Sequence, residues 1–151
     1  MSEGHRGAHP ADQNLFAADQ HADLRQAVAD LSWLLTKGYA PAASLKLVGD
    51  HFNLRERQRL ALARAACSDQ QRARRQQSCL PFAALAGREL LLDGFNLIVT
   101  LEAALSGGVL LQCRDGCVRD LSSVHGSYRS VSETARAIQL IGDTLQAAQP
   151  A

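Results

Sequence analysis

The stretch Leu90-Leu91-Leu92-Asp93-Gly94-Phe95-Asn96 constrains the fold of this chain more than any other. Three consecutive leucines read as a short buried strand. A carboxylate, a glycine and, shortly after, an asparagine follow. Leu97, Ile98, Leu101, Ala104 and Leu105 then take up helical spacing. A strand that ends in Asp and turns at once into a helix sets that carboxylate at the carboxyl edge of a sheet, where open α/β folds bind ligands. The sequence therefore predicts an α/β unit that opens near Arg88.

What precedes that unit is helical. Leu24, Val28, Leu31, Leu34 and Leu35 fall on one face of a helix over 20–37, with Trp33 expected as a core anchor and Gly38 as the stop. Pro41 fits the first position of a second helix, ended by Gly49 and Asp50. Asn53 and Glu56 have capping-box spacing for a third helix that runs to about Ala66 or Cys67. Asp69 is placed to cap a short Arg- and Gln-rich helix. The division is residues 1–19 a disordered tail, 20–76 a helical bundle, 77–87 a linker and 88–151 the α/β unit. Aromatic residues make up only 5%, so the core has to be built from Leu, Ala, Val and Ile.

Within the α/β unit, a helix over about Phe95–Ser106 is closed by Gly107-Gly108. Arg114-Asp115-Gly116 lies between two β-prone segments, Val109–Cys113 and Cys117–Leu121, and predicts a hairpin with positive φ at both turn residues. A polar loop, residues 122–129, leads to a last helix from Ser130, with Glu133 completing a capping box. Val131, Ala135, Ile138, Ile141 and Leu145 are its expected inner face, and residues 146–151 are expected to fray. The class is α-rich α/β.

Net charge is +1, so the chain as a whole does not call for a polyanion. Charge is uneven, however: seven arginines lie between Arg55 and Arg75 against Glu56 and Asp69. Arg55, Arg57, Arg59 and Arg64 on the third helix, with His125 and Arg129 in the polar loop, are the candidate phosphate contacts for a nucleic-acid partner; a solvated helical face is the alternative. The four cysteines have no CxxC pair and read as free buried thiols of a cytoplasmic protein. Cys113, Cys117 and His125 form a weak zinc pattern. No apolar run is long enough for a membrane helix.

Asp93 is open to two readings. It is a ligand for Mg²⁺ or Mn²⁺, which prefer oxygen donors, or it is the N-cap of the following helix, which needs no metal. Asn96 adds an amide beside it. Metal-assisted phosphodiester hydrolysis needs several carboxylates, and Asp120, at the end of the hairpin, is the best second ligand, with Asp115 or Glu102 behind it.

The string Asp93-Gly-Phe-Asn after an apolar strand resembles the opening of PIN-like and NYN-type nuclease domains. The wider text, through Arg114-Asp-Gly-Cys-Val-Arg-Asp120 and His125-Gly-Ser-Tyr-Arg129, resembles the prokaryotic domain-of-unknown-function 434 family, whose helical part has text similar to Asp30-Leu-Ser-Trp-Leu-Leu35 and Lys46-Leu-Val-Gly-Asp50. The resemblance covers about residues 22–145. It implies a helical part followed by a PIN-like part, with Asp93 as the first metal-binding carboxylate, Asn96 as its polar companion, and RNA cleavage as the expected chemistry. About 64 residues from Arg88 onward are short for a complete three-layer domain. The expectation is thus a C-terminally truncated PIN-like unit, completed by a partner chain or a second copy, or a remnant that binds without catalysis.

Overall fold

The computed structural model describes residues 4–7, 9–122 and 128–151. The chain separates into two compact units. One is built from residues 9–78 and 111–121, the other from 1–8, 79–110 and 122–151. They are called here the helical unit and the composite unit. Among the described residues the chain is mostly α-helical, with one two-stranded antiparallel hairpin, which makes the class α-rich α/β.

The helical unit holds α1 (Asp12–Leu15), α2 (His21–Thr36), α3 (Pro41–His51), α4 (Glu56–Ala65) and α5 (Asp69–Ser78). Its core joins Ala27 and Leu31 of α2 to Val48 of α3, Leu54, and Leu62 of α4. Leu24, Val28, Leu34 and Leu35 pack around it, so the periodicity of α2 gives its inner face correctly. Trp33 does not join them and is 57% exposed.

Two helix ends share one device. After α2, Tyr39 N–H bonds Leu34 C=O and Gly38 N–H bonds Leu35 C=O, with Gly38 at φ +85°. After α3, Leu54 N–H bonds Gly49 C=O and Asn53 N–H bonds Asp50 C=O, with Asn53 at φ +51°. Both are Schellman closures, which need a left-handed residue just past the helix; Asn is the side chain after Gly that tolerates it best. Asn53 therefore ends α3 rather than capping α4. The start of α4 is satisfied instead by Gln58, whose Oε1 accepts Arg55 N–H at 3.0 Å. At α5 the cap is Ser68, not Asp69: Ser68 Oγ accepts Gln71 N–H and Gln71 Oε1 accepts Ser68 N–H, both at 3.1 Å.

The hairpin pairs β1 (Leu110–Gln112) with β2 (Val118–Asp120). Its loop has three residues. Gly116 N–H bonds Cys113 C=O, Cys113 N–H bonds Cys117 C=O, and only Gly116 has positive φ, at +88°. This is a turn followed by a left-handed glycine, not the expected two-residue turn with both φ positive. Asp115 sits in it as an acceptor, taking Cys117 N–H at 3.1 Å.

The composite unit contains α6 (Gly94–Leu105) and α7 (Thr134–Ala148), which pack together. α7 starts four residues later than its sequence suggests, because Thr134 Oγ1 accepts Val131 N–H and holds the preceding turn outside the helix. Its inner face keeps the expected Ile141 and Leu145, both half-buried, but not the whole expected stripe. Ala137 and Ala148 are buried, while Ala135 and Ile138 are exposed. Residues 149–151 do not fray: Gly87 N–H bonds Gln149 C=O at 2.8 Å and Ala151 N–H bonds Arg88 C=O at 3.0 Å.

Two expectations are corrected here. Residues 89–92 form no strand, and Leu91 is fully exposed. A strand draws its hydrogen bonds from a neighbour, and among the described residues Glu89–Leu92 make no backbone hydrogen bond. The N-terminal residues, whose composition reads as a tail, carry structure: Asp12 is buried and bound by Arg57, and Arg6 reaches Glu102.

Candidate functional site

α6 begins where the backbone leaves the leucine run, and Asp93 caps it. Asp93 Oδ1 accepts Asn96 N–H at 3.4 Å, and Asn96 Nδ2 donates to Asp93 Oδ2 at 2.5 Å. The N-cap reading of Asp93 is thus realised, and Asn96 is its partner. Both side chains are exposed. Phe95, between them, stands 5.1 Å from the ring of Tyr128, so the Asp-Gly-Phe-Asn stretch and the end of the polar loop meet through these two rings.

Deeper in the same unit lies Glu102, one of the further candidate carboxylates of the sequence. Glu102 is 0% exposed. Its Oε1 accepts the hydroxyls of Tyr128 and Thr134, each at 2.5 Å, and its Oε2 is paired with Arg6 Nε. Arg6 also lies 4.9 Å from the centroid of the Tyr128 ring and donates to Arg129 C=O at 2.6 Å. Burial raises the pKa of the Glu102 carboxyl, but the Thr134 and Tyr128 hydroxyls and the Arg6 guanidinium outweigh it, and the net shift is downward. The buried carboxylate is therefore ionised and fully bonded, which ties α6, α7, the N-terminal residues and Tyr128 together. A signal for it was present: Glu102 is the single charged residue of α6.

The other predicted carboxylates belong to the helical unit. Asp120 is buried, with Arg64 Nη1 at 3.5 Å from its Oδ1. Asp115 is held by Arg119 Nη2 at 2.7 Å and Arg75 Nη1 at 2.8 Å. Hydrogen bonding from Arg119 is the main cause that holds its carboxyl far below the usual range, against burial, and Arg119 is raised in turn. Asp93 and Asp120 thus lie in different units.

The candidate phosphate-binding arginines are largely engaged within the helical unit. Arg57 clamps Asp12, with Nη2 to Oδ2 at 2.8 Å; this hydrogen bond lowers the Asp12 carboxyl and raises Arg57. Arg59 binds Asp50 Oδ1 and Leu54 C=O, each at 2.8 Å, and its guanidinium lies against Gly49, where a Cβ would collide with it. Arg64 holds Asp120, while Arg55 is exposed. Arg129 is exposed, and His125 lies outside the described residues. Cys67 and Cys113 are buried thiols, whereas Cys79 and Cys117 are exposed; all four are free.

Among the described residues no three His, Cys, Asp or Glu side chains are grouped to hold a metal ion. Asp93 with Asn96 offers one carboxylate and one amide, so these residues do not by themselves make a divalent-metal centre of the kind that needs several carboxylates. Among the described residues no helix is long and apolar enough to cross a membrane.

Comparison with known proteins matches two family models. Residues 23–77 match the family model described as "Protein of unknown function (DUF434)". This stretch belongs to the DUF434 family. Residues 82–151 match a second model, "Domain of unknown function (DUF5616)". The resemblance read over 22–145 as one family thus resolves into two family regions, whose division falls in the stretch expected to be a linker. The DUF434 region spans α2 to α5, and the DUF5616 region spans α6, the hairpin and α7. The chain is 28% identical over 123 residues to "Uncharacterized protein MJ0935" of Methanocaldococcus jannaschii, an alignment that covers 82% of this chain and 59% of that relative. The chain therefore spans under two thirds of the relative it matches. No solved structure gives a significant match.

Proposed function

We propose that this chain is an interaction protein whose composite unit is completed by another chain. The observation that carries the reading is the Leu90-Leu91-Leu92 segment. Its sequence is that of a buried strand, yet Leu91 is fully exposed and Glu89–Leu92 bond to no described backbone. Unpaired backbone beside exposed apolar side chains is what an added strand uses: main-chain hydrogen bonds supply affinity and alternate side chains fill the partner's surface. Phe95, Leu92 and Leu97 extend the apolar area next to it. The partner is a second copy or a different chain with a free sheet edge.

Light scattering of the full chain across a concentration series, alone and with co-purifying protein, tests this. The expected outcome is a mass above that of one chain, reduced to one chain by Leu91→Asn without loss of helical signal. A monomer throughout, with no co-purifying chain and no difference on Leu91→Asn, would contradict it.

A second reading places divalent-metal-dependent RNA cleavage at Asp93, supported by the exposed carboxylate at the start of α6 and its Asn96 companion. It requires further carboxylates to join Asp93. Asp93→Asn separates the two roles, because Asn keeps the helix cap while removing the charge. The reading expects Mg²⁺- or Mn²⁺-dependent cleavage of RNA in the wild type and its loss in Asp93→Asn. Equal cleavage by both, or none with either metal, removes it.

A further inference from the structure

Trp33, expected in the core, instead borders a groove of about 380 Å³ between α2 and α3. Leu47 forms the opposite wall and is 63% exposed; Val48 and Phe52 line the groove between them. Its surface is mainly apolar. Asp30 is the one acidic residue on it, with His51 as the other titratable group. Lys46 and Arg59 both hold Asp50, at 2.6 and 2.8 Å. Lys37 lies over the Trp33 ring, 5.6 Å from its centroid. Asp30 accepts Gln26 Nε2 at 2.8 Å but has no cationic partner among the described residues.

We propose that this groove docks an amphipathic helix of another protein, whose leucine-type side chains lie between Trp33 and Leu47 and whose Lys or Arg pairs with Asp30. Three features argue for that chemistry. Two helices flank the groove, which suits a third helix laid along them and read as residues one turn apart. The exposed Trp and Leu walls offer apolar area in one place, of the kind that marks a docking site rather than scattered surface residues. A carboxylate without a cationic partner among the described residues, on a lining whose other titratable side chain is His51, favours a cation on the incoming face and disfavours an anion. The site belongs to the helical unit and does not depend on strand addition at Leu90–Leu92.

Trp33 is the single tryptophan of the chain, so its fluorescence reports on the groove directly. The probes are two synthetic helical peptides with the same leucine spacing, one carrying Lys and the other Glu at its polar positions, titrated into the full chain at low protein concentration. The cationic peptide is expected to shift Trp33 emission to the blue and saturate. Asp30→Asn is expected to weaken its binding about fivefold and to lower its salt dependence. Leu47→Ser, at an exposed position, is expected to weaken it further while leaving the thermal transition unchanged. Equal binding of both peptides, no shift with either, or no effect of Leu47→Ser would overturn the proposal. A blue shift that grows with protein concentration in the absence of peptide would assign the groove to a second copy and would also overturn it.

Discussion

The two units bury different things. In the helical unit Leu31, Val48, Leu54 and Leu62 meet in one apolar cluster, and the unit's buried carboxylates Asp12, Asp115 and Asp120 are each held by arginine. In the composite unit the buried apolar side chains are Ala103, Ala137 and Ala148, and the largest buried group is the charged Glu102. Phe82, Leu91, Phe95 and Ile138 are exposed, while Ile98, Leu101, Ile141 and Leu145 are half-buried. Large-residue packing supports the first unit, and a buried carboxylate network holds the second. A unit that leaves Leu91, Leu92, Leu97 and Leu105 exposed and buries a charge has apolar area left for association.

The largest effect that would sharpen this contrast is in the apolar core. Leu62→Ala is expected to destabilise the helical unit by about 3 kcal/mol, the transfer loss plus a residual cavity. Denaturant titration followed by Trp33 fluorescence checks it; a change under 1 kcal/mol would break the claim that this core carries the unit. Next, Glu102→Gln is expected to cost about 2 kcal/mol, because the Arg6 guanidinium loses its counter-charge while the hydroxyl bonds are only partly kept. Hydrogen exchange in α6 and α7 measures this, and the protection of α2 to α4 is expected to be unaffected.

Acid should act on both units by protonating buried carboxylates. Asp12 and Asp115 in the helical unit and Glu102 in the composite unit all have folded pKa values below their ordinary ones. For such groups the unfolded chain takes up the proton first. Their contribution to stability is full above about pH 6, declines as pH passes through the ordinary carboxylate values, and is lost below the folded values. Asp115→Asn is expected to remove about 2 kcal/mol at neutral pH and to flatten the acid limb seen by Trp33. An unchanged limb would mean that the Arg75 and Arg119 pairs are not what sets it. The smallest effect is expected at Leu91→Asn, within about 0.5 kcal/mol in the dilute monomer because the side chain is already in water.

Legibility in the sequence followed the same divide. The inner face of α2, the Gly38 stop and the Pro41 start were readable because each rests on local geometry. Asn53 was misread because one residue type serves both as an N-cap and as a left-handed closure, and only the chain path decides between them. The inner face of α7 was read in part: Ile141 and Leu145 are half-buried beside the buried Ala137 and Ala148, but Ala135 and Ile138 are exposed, and side-chain size alone cannot reveal which stripe has a neighbour. The leucine run gave a strand from composition, but a strand exists only with a partner, and apolarity does not say where that partner is. Asp93 was legible as a cap and as a candidate ligand at once, since both use the same carboxylate at the same place. Glu102 was visible as the lone charge of an apolar helix, while its partners Arg6, Tyr128 and Thr134 lie far from it in sequence.

The contrast comes to a point at the amides of Glu89, Leu90, Leu91 and Leu92. Hydrogen exchange measured at several concentrations of the full chain, and with any co-purifying partner, follows them individually. The account predicts fast exchange in the dilute monomer and protection in the associated form, with α2 to α4 protected in both. Fast exchange of these four amides under every condition, alongside a native helical unit, would contradict strand completion by another chain.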